Sequence, residues 1–197
     1  MNSNISMEKF LEAMNSGEQM KAGSPVHLKM HELSQEALKI TMEINNAYHT
    51  PEEILGLMEK LTGRKIGERF GLFPPFYTDC GKNIPIGNGV FINSGCKFQD
   101  QGGIYIGDGA LIGHNTVLAT LNHGMLPEER GDLSPRPIHI GKNVWIGSNS
   151  TILPGVTIGD NAVIGAGSIV TKDIPADMIA VGNPAKVIRS IIKPLTK

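Results

Sequence analysis

Among the side chains able to exchange a proton near neutral pH, His123 stands apart. It lies in the stretch ATLNHGMLPEERGDLSPRP, residues 119–137, where a regular beat of aliphatic residues breaks off. An imidazole with an ordinary pKa of about 6.5 can take the proton of an attacking hydroxyl. Loops on rigid scaffolds are favoured places for such groups. A plain surface histidine is the competing reading, and the residues alone leave both open. No G-x-S-x-G motif is present, and neither Cys80 nor Cys96 lies in a recognisable catalytic setting. His114, His123 and His139 are spaced nine and sixteen residues apart, which gives no metal-ligand pattern. No metal is expected. His27, His31 and His49 fall in a helical region and read as surface residues.

A second group of interest is basic. Lys172, Lys186 and Arg189 close the patterned part of a chain whose formal net charge is only −1. Each alone reads as a solvated charge, but together they suit charge-assisted contacts to phosphate. The near-zero net charge gives no global field for nucleic acid or an anionic membrane surface. The first residues, MNSNISMEKF, show no signal pattern, and no apolar run approaches membrane-spanning length. A soluble cytoplasmic protein is expected, without nucleic-acid or membrane partners.

The elements that position these groups are legible as a repeat. Ile86, Ile92 and Phe98 fall on a six-residue grid; Ile106, Ile112 and Leu118 resume it after a two-residue slip. Beyond the loop come Ile140, Ile146, Ile152, Ile158, Ile164 and Val170. Neither a helix nor an isolated strand has period six. A short strand followed by a corner does, and three such strands close one triangular coil. Gly follows many grid positions (Gly87, Gly107, Gly113, Gly141, Gly147, Gly159, Gly165) and is expected to supply the corner's unusual backbone geometry. An antiparallel sandwich with Gly turns is the alternative.

Before the grid, Met7, Phe10, Leu11 and Met14 mark one helix face. Leu33, Ala37, Ile40, Ile44 and Tyr48 mark a longer second helix. Thr50–Glu53 reads as a capping box with Pro51 at the first helical position, and Thr62-Gly63 ends the third helix. The division expected is a helical cap over 1–70, a coil domain over 71–190 with an excursion loop at 123–137, and a tail over 191–197.

The segment VWIGSNSTILPGVTIGDNAVIGAGSIVTKDIPADMIAVGNPAKVIR resembles the hexapeptide-repeat acyltransferases, and is most similar to their maltose/galactoside O-acetyltransferase branch. The likeness is dense from Ile138 to Arg189 and weaker back to Met7. It implies a mainly β fold, a left-handed parallel β-helix with an N-terminal helical cap and a protruding loop. It also implies a homotrimer with acetyl-CoA in the cleft between subunits. By resemblance His123 is the general base. Trp145 would lie beside the pantetheine arm, and Ser148 would offer its N–H to the thioester oxygen. Ala166 and Thr171 would meet adenine or backbone atoms of the cofactor, and Lys172, Lys186 and Arg189 its phosphates. Asp79, Asn93, Asp100 and Leu133 would meet the acceptor.

The chain departs from that branch in two places. Gln19-Met20-Lys21-Ala22 follows Gly17-Glu18 where sugar acetyltransferases tend to carry an aromatic-then-acidic pair, and the loop is about two residues shorter. The function expected is acetyl transfer from acetyl-CoA to a hydroxyl of a small, sugar-like acceptor. N-acetylation of an amino sugar or xenobiotic amine, and a β-helix that binds metal or a partner without catalysis, remain open.

Overall fold

The computed structural model describes residues 4–191, so the expected tail lies outside them apart from Ile191. Three helices come first. Helix α1 (Met7–Asn15) starts where the Ser6 hydroxyl accepts from the Lys9 N–H, and it buries Phe10 and Met14. Helix α2 (Pro25–Asn46) starts well before the expected stripe, because Ser24 caps it and Pro25 opens it; it buries Met30, Leu33, Ala37, Ile40 and Ile44. Helix α3 (Pro51–Thr62) carries the reciprocal Thr50/Glu53 capping box and ends at Gly63 with φ 69°. Each start satisfies backbone donors that would otherwise have no partner.

The remainder is a parallel β-helix. Short strands fall into a seven-, a five- and a three-stranded sheet, and the chain visits the faces in a fixed order. A separate two-stranded pair stands outside them. Grid residues stack directly over one another: Ile92 on Ile112, Ile146 and Ile164 in the long sheet. Phe98, Leu118, Ile152 and Val170 form the second column, and Ile106, Ile140 and Ile158 the third. These side chains are buried and form one core with residues of α2 and α3. Each contributes about 1.5–3 kcal/mol by leaving water.

The corners differ from expectation. The glycines that follow the grid positions do not have positive φ. Left-handed backbone occurs two residues further on, at Gly89, Gly95, Gly109, Asn115, Asn143, Asn149, Gly155, Asn161 and Gly167. The grid glycines are there because the coils touch. A Cβ on Gly147 would lie 2.5 Å from the backbone N of Ala166 in the next coil. Small hydroxyl residues then close the corner: Ser150 Oγ donates to the Gly147 carbonyl (2.8 Å) and Thr116 Oγ1 to that of Gly113 (2.8 Å).

At the open end of the stack the side chain of Asn45 in α2 reaches the strand Phe76–Thr78. Its Nδ2 donates to the Phe76 carbonyl (2.9 Å) and its Oδ1 accepts from the Phe76 N–H (2.8 Å). At the other end, strand Ala185–Ser190 folds back antiparallel on Met178–Gly182.

Close contact and left-handed geometry predict opposite responses to substitution. Gly147→Ala overpacks rigid backbone and is expected to cost about 1–3 kcal/mol. Asn149→Gly keeps an allowed backbone and should change stability by no more than about 1 kcal/mol. Thermal melting of the two variants checks this.

Candidate active site

The excursion is pinned where it leaves and returns. The Thr120 N–H donates to the Gln99 carbonyl (3.2 Å), and the Thr120 carbonyl accepts from the Arg136 N–H (2.8 Å). The side chain of Gln99 accepts from the Leu121 N–H (3.1 Å). Between these points Leu121–His123 and Leu133–Pro135 pair antiparallel, with His123 opposite Leu133. A single 3₁₀ turn, Pro127–Glu129, fills the tip.

The N-terminal arm adds a third rung. Met20 and Leu133 exchange both backbone hydrogen bonds, at 2.7 and 2.9 Å. Asp132 locks the arm: it accepts from the Ala22 N–H (2.9 Å) and from Lys21 Nζ (2.6 Å). The Lys21 hydrogen bond, then that of Ala22, holds the Asp132 carboxyl below its ordinary range, while Asp132 raises Lys21. The divergent Lys21-Ala22 segment thus has a definite structural partner in the loop.

His123 is exposed, and its Nδ1 lies 2.8 Å from the Arg130 carbonyl. A carbonyl only accepts, so Nδ1 carries the proton and the lone pair of Nε2 is free. The imidazole is therefore set up to receive a proton at Nε2.

Asp79 lies at the foot of this hairpin. Its neighbour Cys80 packs in one cluster with Met20, Leu121 and Leu133. Crowding pushes the Asp79 carboxyl above its ordinary range, opposed by the Gln101 hydrogen bond (Nε2 to Oδ2, 3.4 Å). Gln101 Oε1 is buried without a partner among the described residues. An uncharged amide in a slip segment gives no sequence signal of its own, so Gln101 is legible only in the structure.

Two expected acceptor contacts are placed differently. Asp100 is fully buried and accepts from Thr78 Oγ1 (2.7 Å) and the Cys80 N–H (2.8 Å). Burial raises its pKa against those hydrogen bonds. It ties coils together instead of facing solvent. Leu133 is only 5% exposed and packs in the cluster beneath the hairpin.

The other residues divide by position. Thr171 and Lys172 lie past strand Ile169–Val170 of the five-stranded sheet, on the same corner as Asp79, Gln101 and His123. Trp145 projects from the long sheet, 55% exposed. Asn93, Ser148 and Ala166 follow strands Phe91–Ile92, Trp145–Ile146 and Val163–Ile164 of that sheet and share its corner with the five-stranded sheet. Lys186 and Arg189 sit on its last strand. Lys172, Lys186 and Arg189 are exposed, and among the described residues none is in an ion pair. In a triangular coil, the corner bearing His123 is opposite the sheet bearing Trp145. One chain therefore does not bring the two sets together.

A β-helix of hexads interrupted by a histidine-bearing hairpin defines an acyltransferase of the hexapeptide-repeat class, and comparison agrees. Residues 137–172 match the hexapeptide repeat of succinyl-transferase. The chain is 38% identical over 171 residues to a galactoside O-acetyltransferase of Lactococcus lactis, covering 85% of this chain and 82% of that one. A maltose O-acetyltransferase structure from Clostridium difficile superimposes with a TM-score of 0.85 at 36% identity, covering 93% and 97% of the two chains. A Vibrio cholerae hexapeptide-repeat acetyltransferase in complex with acetyl coenzyme A gives 0.84 at 35% identity, covering 93% and 99%. The chain belongs to the galactoside/maltose O-acetyltransferase family of hexapeptide-repeat proteins.

The Asp132 lock has a pH dependence of fixed sign. The folded-state pKa of Asp132 lies below its ordinary 3.8, so its stabilisation is present above 3.8 and lost as pH falls through the lower folded value. Lys21 lies above its ordinary 10.5, so its share is present below 10.5 and lost on raising pH through the higher folded value. Hydrogen-exchange protection at the Met20 and Leu133 amides is expected to be flat around neutrality and to fall in acid. Asp132→Asn should lower the plateau and remove the acid-dependent fall.

Proposed function

We infer that the protein transfers an acetyl group from acetyl-CoA to a hydroxyl of a small, sugar-like acceptor. The observation that carries this reading is the His123 Nδ1 contact to the Arg130 carbonyl, which leaves Nε2 as a base. In the reaction His123 Nε2 takes the acceptor's hydroxyl proton as that oxygen bonds to the thioester carbonyl carbon. The C–S bond then breaks, and the departing thiolate takes the proton back from the imidazolium. No acyl-enzyme forms, in keeping with two buried thiols whose pKa values burial raises, that of Cys96 to about 11.

The remaining groups fit the donor substrate. The exposed indole of Trp145 offers an apolar face for the pantetheine arm. The Ser148 N–H donates to no protein group among the described residues and is free to meet a developing oxyanion. Lys172, Lys186 and Arg189 have no carboxylate partners among the described residues and are suited to phosphates. Asp79, with Gln101 beside it, and Asn93 are the polar groups we assign to the acceptor.

Because His123 and Trp145 lie on opposite sides of one coil, the site is completed when a second copy lays its long sheet against the hairpin of the first. A closed ring of three such contacts, with one site at each interface, is the assembly this implies.

Thiol release from acetyl-CoA, measured against a panel of galactosides and maltose, tests the reading. His123→Ala should lower kcat by about 10²- to 10⁴-fold; wild-type turnover in that variant sinks the assignment of the base. Replacing Lys186 and Arg189 together by Ala should raise KM for acetyl-CoA while leaving kcat nearly intact, the signature of binding shared by ground and transition states.

A further inference from the structure

The turn that follows His123 is held by an arrangement the reaction scheme above does not use. Arg130 sits among Glu128, Glu129 and Asp132, yet among the described residues its guanidinium pairs with none of them. It grips two consecutive backbone carbonyls instead: Nε donates to the Gly124 carbonyl (3.0 Å) and a terminal nitrogen to the Met125 carbonyl (3.0 Å). A planar fork of donors spans neighbouring acceptors in a way an ammonium does not. The same residue's own carbonyl is the partner of His123 Nδ1.

The turn is also closed from the opposite side. A Cβ on Gly124 would lie within 3 Å of backbone and side-chain atoms of Glu129, so residue 124 must be glycine for the returning chain to approach. The Gly124 N–H meanwhile donates to the Asp132 carbonyl (3.0 Å).

We propose that Arg130 is a positioning residue for His123: by clamping the Gly124 and Met125 carbonyls it holds its own carbonyl against Nδ1 and fixes the tautomer that leaves Nε2 unprotonated. This rests on the reading of His123 as the base. The side chain acts on the histidine through the backbone it closes. With the clamp released, the turn opens, the Nδ1 partner drifts, and the neutral imidazole distributes its proton over both nitrogens. Only the fraction with a free, aimed Nε2 then serves as base.

The test compares wild type, Arg130→Gln, Arg130→Lys and Gly124→Ala as full chains. The His123 ring is read by ¹⁵N NMR, its signals assigned by their loss in His123→Gln. In wild type the expected signature is one tautomer with Nδ1 protonated. In Arg130→Gln the signals should move toward a tautomer mixture. Its kcat should fall about 10- to 100-fold, the scale of a small misplacement of a reacting group, with KM for acetyl-CoA within about two-fold. Arg130→Lys, able to keep one of the two bonds, should be intermediate. Gly124→Ala, which forces the same turn open without changing charge, should reproduce the tautomer shift. Wild-type kcat in Arg130→Gln, or a fallen kcat with the wild-type tautomer retained, overturns the proposal. A His123→Ala protein that keeps its activity instead overturns the reading of the base, whatever Arg130 does.

Discussion

Everything in the molecule follows from one requirement: each coil must lie in register on the coil beneath it. Ile140 sits on Ile158 and Ile146 on Ile164 because three hexads separate them. Parallel strands that close can take up extra residues only at a corner, as the two-residue slip between Phe98 and Ile106 is, or outside the stack. A glycine is needed wherever a side chain would prop two coils apart, as at Gly147. Any departure must come back to its starting point. The excursion meets this condition at Thr120, whose N–H and carbonyl hold the outgoing and incoming chain. Beyond that point the backbone is free of the register, and His123 lies there.

The same requirement explains what could be read in the sequence. The grid from Ile140 to Val170 is legible because one physical role recurs at fixed spacing. The Thr50/Glu53 capping box is legible because its partners are three residues apart. The corner glycines were misassigned because Gly answers two different needs, close approach and positive φ, and a single letter does not say which. The burial of Asp100 and Leu133 was not legible because their neighbours, Thr78 and Met20, are far away in the chain. Arg130 gave no signal at all. Its contacts run to carbonyls, which every residue has, so its letter carries no pattern.

The coil keeps His123 and Trp145 apart. A triangular cross-section sends its three faces in three directions. The imidazole of His123 on one corner and the indole of Trp145 on the opposite face therefore cannot share a cleft within one chain. Rigid walls with one closed turn between them suit a reaction in which the protein supplies alignment and a single proton acceptor. The N-terminal arm, joined to the hairpin through Met20 and Asp132, couples the helical cap to that turn. Variation in the arm therefore changes the setting of the turn that carries His123.

A stack of parallel coils is, in principle, a template for its own extension, since the last coil shows the next one an unpaired row of donors and acceptors. Asn45 answers this at one end. Its amide meets the Phe76 N–H and carbonyl as the peptide of a preceding coil would, but it belongs to a helix and leads nowhere. The antiparallel return of Ala185–Ser190 reverses the chain direction at the other end of the long sheet. The protein thereby uses the packing logic of a fibre while refusing end-to-end polymerisation. Its lateral faces, which bear His123 and Trp145, are left as the surfaces through which copies can meet.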